Sequence, residues 1–502
     1  MSDLDMRAAA SADDLAYATA GDLIAMLGTR KIGSEELLQL FLDRYERLNA
    51  PINAIVALDL DRAFDAARAA DKALSSGGSA GALAGLPFTV KETYSAIGMR
   101  TSCGLPPLAD NISSEDAVAV GRLRAAGGVI FGKTNIPIAG ADHQTDNPIY
   151  GLTRNPWSLD LTVGGSSGGA AAALSAGLTP LELGSDIGGS IRIPAHMCGV
   201  FGHKSSYGLV PTRGHVPPMP GVMEEPQLAV AGPMARSACD LELALDILTA
   251  PGPERVPAFS TTVAPSRHEK LSDFRVALWS EDLPYAATSE TQEAIARLAG
   301  ELRAQGAKVS ETARPDFDPQ AALETYVNML FSIVLGGQDF ELTAEDLANL
   351  PEDALTFGRI LEGCAKPDPL RWGRLEEARA RLCDGWARFF REWDAMVCPV
   401  FPSAAFPHDL SGEGMKAQLY RRRQVDDRDV VYLSQLSWPG LATVANLPST
   451  VIPAPRREGQ VPLGLQLIGP AMEDRTTIRL AALIERRLGY VAARPPLEKT
   501  LG

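Results

Sequence analysis

Two short blocks of this chain set hydroxyls among glycines: Gly164-Gly165-Ser166-Ser167-Gly168-Gly169 and, after small residues and a short apolar run, Gly188-Gly189-Ser190. Glycine reaches dihedrals that other residues avoid and adds no side chain, so backbone N–H groups beside it converge on a small anion or an oxyanion. A serine among such donors is a candidate nucleophile; for either block alone, a flexible turn is the competing reading. Upstream, Lys91 ends the apolar run Leu86-Pro87-Phe88-Thr89-Val90, which sets it at the end of a buried strand. Desolvation there disfavours the cation, lowers the lysine pKa and frees a neutral amine to act as a base. The competing reading is a lysine that snorkels or pairs with a carboxylate such as Glu92.

Two other patterns point to different chemistry. Gly127-Gly128-Val129-Ile130-Phe131-Gly132-Lys133-Thr134 fits the phosphate-loop spacing. Its context is wrong, because the apolar triplet lies inside the motif and Pro137 blocks the helix that should follow. Gly164-Gly165-Ser166-Ser167-Gly168 fits the nucleophile elbow of the α/β-hydrolases, with Ser166 as nucleophile and an Asp and a His later in the chain. Of the six histidines, only His408 lies near the C-terminal end, in Phe406-Pro407-His408-Asp409.

Read in order, the run Leu86 to Lys91, then Gly132-Lys133-Thr134-Asn135, the first glycine-serine block and Gly184-Ser185-Asp186-Ile187-Gly188-Gly189-Ser190-Ile191-Arg192-Ile193-Pro194-Ala195 resemble the amidase signature family. Asp394 to Pro399 and Gly464-Leu465-Gln466-Leu467-Ile468-Gly469 resemble it too, so the likeness covers most of residues 18 to 490. The trio Lys91, Ser166 and Ser190 also resembles that of the urethane-cleaving members. The resemblance implies that Ser190 is the nucleophile, Ser166 a bridging serine held by a cis peptide, and Lys91 the base. It further implies an oxyanion hole built from the N–H groups of Ile187, Gly188, Gly189 and Ser190, with Ser167 lending a hydrogen bond and Asp186 and Arg192 bracing the loop as a charge pair. A serine hydroxyl is a poor nucleophile until a base takes its proton, and a neutral lysine drawing on Ser166 while Ser166 draws on Ser190 supplies one.

The implied enzyme is a serine hydrolase that cleaves an amide, anilide or carbamate C–N bond, or an ester, through an acyl-enzyme, with no metal and no organic cofactor. Two alternatives stay open: a Ser-His-Asp α/β-hydrolase built on Ser166, and an amidotransferase-type subunit that works within a complex. The chain departs from the family pattern at His196-Met197-Cys198 after Pro194-Ala195, and at Ile187, a position that is often threonine. Neither departure touches the trio, and His196 reads as a packing or hydrogen-bonding residue. Apolar candidates for the pocket are Tyr94, Ile97, Met99, Met197, Met219 and Trp438, which favour an aryl or bulky acyl substrate.

The elements that must position these groups are legible as alternating patterns. Leu37, Leu38, Phe41, Leu42, Tyr45 and Leu48 recur at helical spacing after Ser34 and stop at Asn49-Ala50-Pro51. Ile55 to Leu58 reads as a strand, Asp59 to Leu74 as a helix, and Leu86 to Lys91, Val129 to Phe131 and Leu181 to Gly184 as further strands, separated by helices at Glu115 to Ala126 and Gly169 to Ala176. Prolines crowd residues 210 to 265 and predict irregular connections. Beyond them a strand at Phe274 to Trp279, a helix at Glu290 to Gln305 and a strand at Ala307 to Ser310 restart the alternation, followed by a helical stretch from Gln320 to Trp393 and strands at Met396 to Val400, Ser449 to Pro453 and Gly464 to Ile468. The predicted fold is α/β, a mixed, mostly parallel central sheet covered by helices. Its expected parts are an N-terminal helical segment (1–75), a catalytic core (76–319), a mainly helical substrate-mouth region (320–430) and a C-terminal part of the core (431–502).

Composition limits the partners. With 502 residues, 45% hydrophobic and 22% charged, the chain has material for a large core without disulfide or metal staples. A net charge of −15 with no basic stretch removes the counterion-release term, so neither nucleic acid nor an anionic membrane is expected as a partner. No apolar stretch of about 18 residues and no basic-apolar leader occur, which predicts a cytoplasmic protein. The six cysteines form no CxxC pair and read as reduced thiols, with no zinc site. The remaining expectation is a small-molecule amide, carbamate or ester with water, taken by a monomer or homodimer.

Overall fold

Short apolar runs bounded by glycine or proline become strands that are buried on both faces, as continuous rather than alternating hydrophobicity requires. A computed structural model describes residues 11–249, 260–281, 283–336, 340–366, 368–412 and 414–497. Its strands are β1 (Ile55–Leu58), β2 (Pro87–Lys91), β3 (Val129–Thr134), β4 (Leu181–Asp186), β5 (Phe201–Lys204), β6 (Val230–Ala235), β7 (Arg275–Leu278), β8 (Lys308–Ser310), β9 (Ala395–Pro399), β10 (Arg422–Val425), β11 (Arg428–Val431), β12 (Ser449–Pro453) and β13 (Gly464–Ile468). Eleven of them form one sheet in the order β1-β3-β2-β4-β6-β5-β12-β13-β9-β7-β8, and β10 and β11 form a separate antiparallel pair.

The sheet is mixed and covered by helices, as expected. Parallel pairing joins β3-β2-β4 on one side and β9-β7-β8 on the other. The strands between these two runs, and the β1 edge, pair antiparallel. The middle is antiparallel because β12 and β13 form a hairpin, while β6 returns beside β4 and β5 from the proline-rich stretch.

The covering helices are α1 (Ala12–Ala16), α2 (Ala20–Gly28), α3 (Ser34–Ile52), α4 (Leu60–Ser75), α5 (Val118–Ala125), α6 (Gly168–Ser175), α7 (Arg192–Cys198), α8 (Ala238–Leu248), α9 (Ser289–Ala304), α10 (Pro319–Leu335), α11 (Ala344–Asn349), α12 (Leu355–Cys364), α13 (Pro369–Glu392), α14 (Gly414–Ala417), α15 (Ser437–Val444) and α16 (Asp474–Leu488). Both long helices of the 320–393 stretch start by one rule: Asp318 and Asp368 cap α10 and α13 with their carboxylates, and a proline takes the first helical position. One apolar cluster gathers the N-terminal helices and much of the sheet; a second gathers α10, α12, α13 and α15 around Trp279, Tyr326, Trp386 and Trp438. No helix among the described residues is long and apolar enough to cross a membrane.

Two local expectations need correction. Helix α3 continues through Pro51 to Ile52 and ends at Asn53, whose left-handed backbone (φ 56°) donates to Asn49 O at 2.6 Å. The proline-rich stretch is not all irregular, since it holds β6 and α8. Pro233 is accepted within β6 because β5 pairs only with Met234 and Ala235 beyond it. Pro251, Pro253 and Pro257 lie outside the described residues.

Candidate active site

Lys91 closes β2, flanked in parallel register by β3 and β4, and is 1% exposed. Its Nζ lies 2.6 Å from Ser166 Oγ and 2.9 Å from Ser185 Oγ. The competing partner, Glu92, is engaged elsewhere: it accepts the N–H of Ser102 (2.5 Å) and Cys103 (2.8 Å) and the hydroxyls of Ser102 (2.7 Å) and Tyr150 (3.1 Å). Lys91 thus has hydroxyl partners and no hydrogen-bonded carboxylate among the described residues. Burial lowers its pKa to about 7, against the pull of Cys103, Asp186 and Glu182. Glu182, on β4, is itself pushed up to about 8 by burial, with the Thr89 hydroxyl 2.6 Å away.

The first glycine-serine block leads into α6. The Gly165–Ser166 peptide bond is cis. A Cβ on Gly165 would come within 2.3 Å of Asp142 O, so only glycine lets the two backbones approach this closely. Ser167 precedes the first turn of α6; its N–H donates to Ser190 O at 3.0 Å and its hydroxyl to Ser185 O at 3.3 Å, which ties the two blocks together.

The second block links β4 to α7. Asp186 ends the strand and accepts the N–H of Gly189 (2.9 Å) and Ile191 (3.0 Å), as well as the guanidinium of Arg192 at 2.9 and 3.1 Å. Burial alone would raise the Asp186 carboxyl, but Arg192 outweighs it and holds the group well below the usual carboxylate range. Arg192 continues to Pro439 O, Gln466 Oε1 and Thr443 Oγ1, so the charge pair anchors the loop to α15 and β13. Gly189 has φ 96°, a backbone that side chains rarely adopt.

The four N–H groups expected to act as oxyanion donors differ in their partners. The Gly189 N–H is taken by Asp186, whereas those of Ile187, Gly188 and Ser190 donate to no acceptor among the described residues. The carbonyls of the same turn are held from outside: Tyr326 donates its hydroxyl to Ile187 O at 3.0 Å, and His143 Nε2 meets Gly188 O at 2.9 Å. The Ser190 hydroxyl, 5% exposed as a residue, makes no hydrogen bond within the described protein, so the expected link from Ser166 to Ser190 is not formed here. Catalytic hydrogen bonds are often loose until substrate arrives.

Sequence reasoning missed His143, Tyr326 and His215. His215 Nε2 lies 2.8 Å from Ser185 Oγ, behind Lys91. Each comes from a distant loop or helix whose local sequence carries no sign of the contact. Among the pocket candidates, Tyr94, Met99, Met197 and Trp438 are core residues, while Ile97 and Met219 are exposed. His196 is structural, accepting the Gly464 N–H at 2.9 Å on Nδ1 and facing Ser403 O with Nε2 at 3.0 Å.

The rival motifs lack their geometry. Lys133 points from β3 to Arg100 O (2.6 Å) and Thr101 Oγ1 (2.7 Å), and its motif runs along a strand instead of opening a helix. Ser166 Oγ is bonded to Lys91 and to no histidine, and His408 is instead tied by its backbone N–H to Asp160 O. Among the described residues, no group of three or more His, Cys, Asp and Glu side chains could hold a metal ion.

Known proteins resemble this chain over most of its length. The family model described as Amidase matches residues 36–478. An indoleacetamide hydrolase of Bradyrhizobium diazoefficiens is 32% identical over 95% of this chain and 87% of its own. A glutamyl-tRNA(Gln) amidotransferase subunit from Acidothermus cellulolyticus is 31% identical over 94% of each chain. A crystal structure of an amidase superposes with a TM-score of 0.74 at 27% identity, covering 94% of this chain and all of that one. The chain belongs to the amidase signature family and is an enzyme that acts on carbon–nitrogen bonds.

Proposed function

We propose that this enzyme hydrolyses an amide through an acyl-enzyme on Ser190, with Ser166 as proton bridge and neutral Lys91 as base. The observation that carries the reading is the 2.6 Å approach of Lys91 Nζ to Ser166 Oγ in a site that gives the amine hydroxyl partners and no bonded carboxylate. Ser166 gives its proton to Lys91 as it takes that of Ser190, and the Ser190 oxygen bonds to the carbonyl carbon. The carbonyl oxygen gains the charge, and the N–H groups of Ile187, Gly188 and Ser190 are the donors free to meet it. One such donor is typically worth ~3 to 4 kcal/mol in the transition state. Collapse breaks the C–N bond, the proton returns to the departing amine through Ser166, and water clears the acyl group by the same route in reverse. A carbamate or an ester would use the same steps.

A bulky or aryl acyl group is the proposed substrate class. Support comes from the similarity to an indoleacetamide hydrolase and from Tyr326 of α10, which joins the helical 320–430 region, taken as the substrate mouth, to the Ile187 carbonyl. The second reading, an amidotransferase-type subunit, rests on the Acidothermus relative of nearly equal identity. A cytoplasmic location is part of the proposal, supported by six cysteines without a disulfide among the described residues.

The test is a rate survey of the purified chain on a primary aryl amide, an anilide, an aryl ester and an aryl carbamate, with Ser190→Ala as control. Turnover of an aryl amide without added protein, abolished in the variant, is the expected result. Activity that appears only with a partner protein would favour the second reading, and a dominant carbamate rate would move the substrate class to urethanes. The rate should also rise with pH through about 7, since a protonated Lys91 cannot accept from Ser166.

A further inference from the structure

We propose that His215 is a positioning residue that acts through Ser185 to keep the lone pair of Lys91 open to Ser166; this rests on Lys91 being the base. The protons are assigned in turn from the surface inwards. His215 Nδ1 lies 2.9 Å from Pro217 O, and a carbonyl only accepts, so Nδ1 carries the ring proton. Burial, and then the charge of Lys91, hold the imidazole down to about 3, so the ring is neutral at working pH and Nε2 is bare. Ser185 Oγ, 2.8 Å from that bare nitrogen, donates its only proton to it in preference to the neighbouring Tyr94 oxygen, because the nitrogen has no other donor among the described residues. Having donated there, Ser185 can meet Lys91 Nζ, 2.9 Å away, only as an acceptor of an amine N–H.

A neutral amine has one lone pair and two neighbouring hydroxyls here. If Ser185 were free to rotate, its O–H could take that lone pair and occupy the base. With its proton committed to His215, Ser185 anchors an N–H, and Ser166, 2.6 Å away, is the one hydroxyl left to give a proton. The groups around the imidazole fit this role. Tyr94 packs edge-on at 5.0 Å with its hydroxyl turned to Gly184 O, and Lys91 and Lys133 both disfavour a cationic ring. Cys103, Asp186 and Glu182 act on Lys91, and none of them bonds to His215.

Three variants test this. His215→Phe keeps a ring against Tyr94 and removes both nitrogens; His215→Gln restores an acceptor towards Ser185; Ser185→Ala removes the competing hydroxyl. The readouts are kcat and KM on an aryl anilide, and the pH dependence of Ser190 labelling by a fluorophosphonate, which needs no known substrate. His215→Phe should lower kcat about tenfold with KM nearly unchanged and move the ascending limb to lower pH, because a Ser185 donor stabilises the neutral amine. His215→Gln should recover most of the rate, and in the Ser185→Ala background His215→Phe should add nothing. A His215→Phe enzyme with the wild-type rate and profile would overturn the proposal, as would a Gln variant as slow as Phe or an undiminished His215→Phe loss without Ser185. Lys91→Ala separates the levels: if it is inert while His215→Phe is unaffected, only the His215 role fails, and if it is active, the base assignment fails with it.

Discussion

Lys91 and Lys204 close neighbouring parts of one sheet, are both buried, and are both lowered to about 7 by burial. Their partners differ. Lys204 Nζ faces Leu447 O at 2.9 Å and Ser205 O at 3.3 Å, with Arg192, Asp186 and Asp474 acting on it from nearby. Lys91 faces the hydroxyls of Ser166 and Ser185. A carbonyl can only hold a proton that the amine already has, whereas a hydroxyl can give one up. A shifted lysine is therefore not enough to mark a base, and the donor beside it decides.

The largest expected effect tests that contrast directly. Lys91→Ala should lower kcat/KM on an aryl amide by roughly 10³-fold, while Lys204→Met, which fills a similar volume, should leave the rate per folded molecule within a few-fold. Equal losses in both would break the contrast. Next in size is Asp186→Asn, which leaves the Arg192 guanidinium buried without its carboxylate beside Lys204. Urea unfolding should show a loss of about 3 to 5 kcal/mol, and a loss below ~1 kcal/mol would mean that the loop is held by its other contacts. The smallest effect is one the two lysines should share. Each has a folded pKa below the ~10.4 of a free lysine, so the folded state binds fewer protons between those values and wild-type stability falls as pH drops towards 7. Methionine has no such loss, so Lys91→Met and Lys204→Met should each gain about 2 kcal/mol on wild type between pH 9 and pH 7. The same linkage in both with catalysis lost in one would sharpen the contrast; a flat difference would mean that the lysine is not desolvated.

The readable parts of the sequence were those in which one segment carries its own explanation. The continuous apolar runs of β2, β12 and β13 need burial on both faces, and those strands lie where expected to within a residue. The glycine-serine blocks and Lys91 were visible because residue type and spacing alone suggest their chemistry. What escaped depends on distant contacts: Pro233 hid β6, whose place is set by the end of the β5 ladder, and His143, Tyr326 and His215 reach the site from separate parts of the chain. The occupied Gly189 N–H was equally hidden, since only a folded turn reveals which amides Asp186 takes.

The short segment 141–144 has a consequence for building hybrids with relatives. It reaches the Gly188 carbonyl through His143, yet its other anchors come from late in the chain: Gln418 on Ala141 O, Arg421 and Tyr432 on Asp142, and Asp409 paired with Gln144. The described residues of 409–432 and the segment 141–144 form one mechanical unit divided between two stretches of gene. Transplanting a relative's version of the later stretch by itself would leave the contacts that hold the Gly188 turn mismatched, so productive chimeras have to exchange both pieces together.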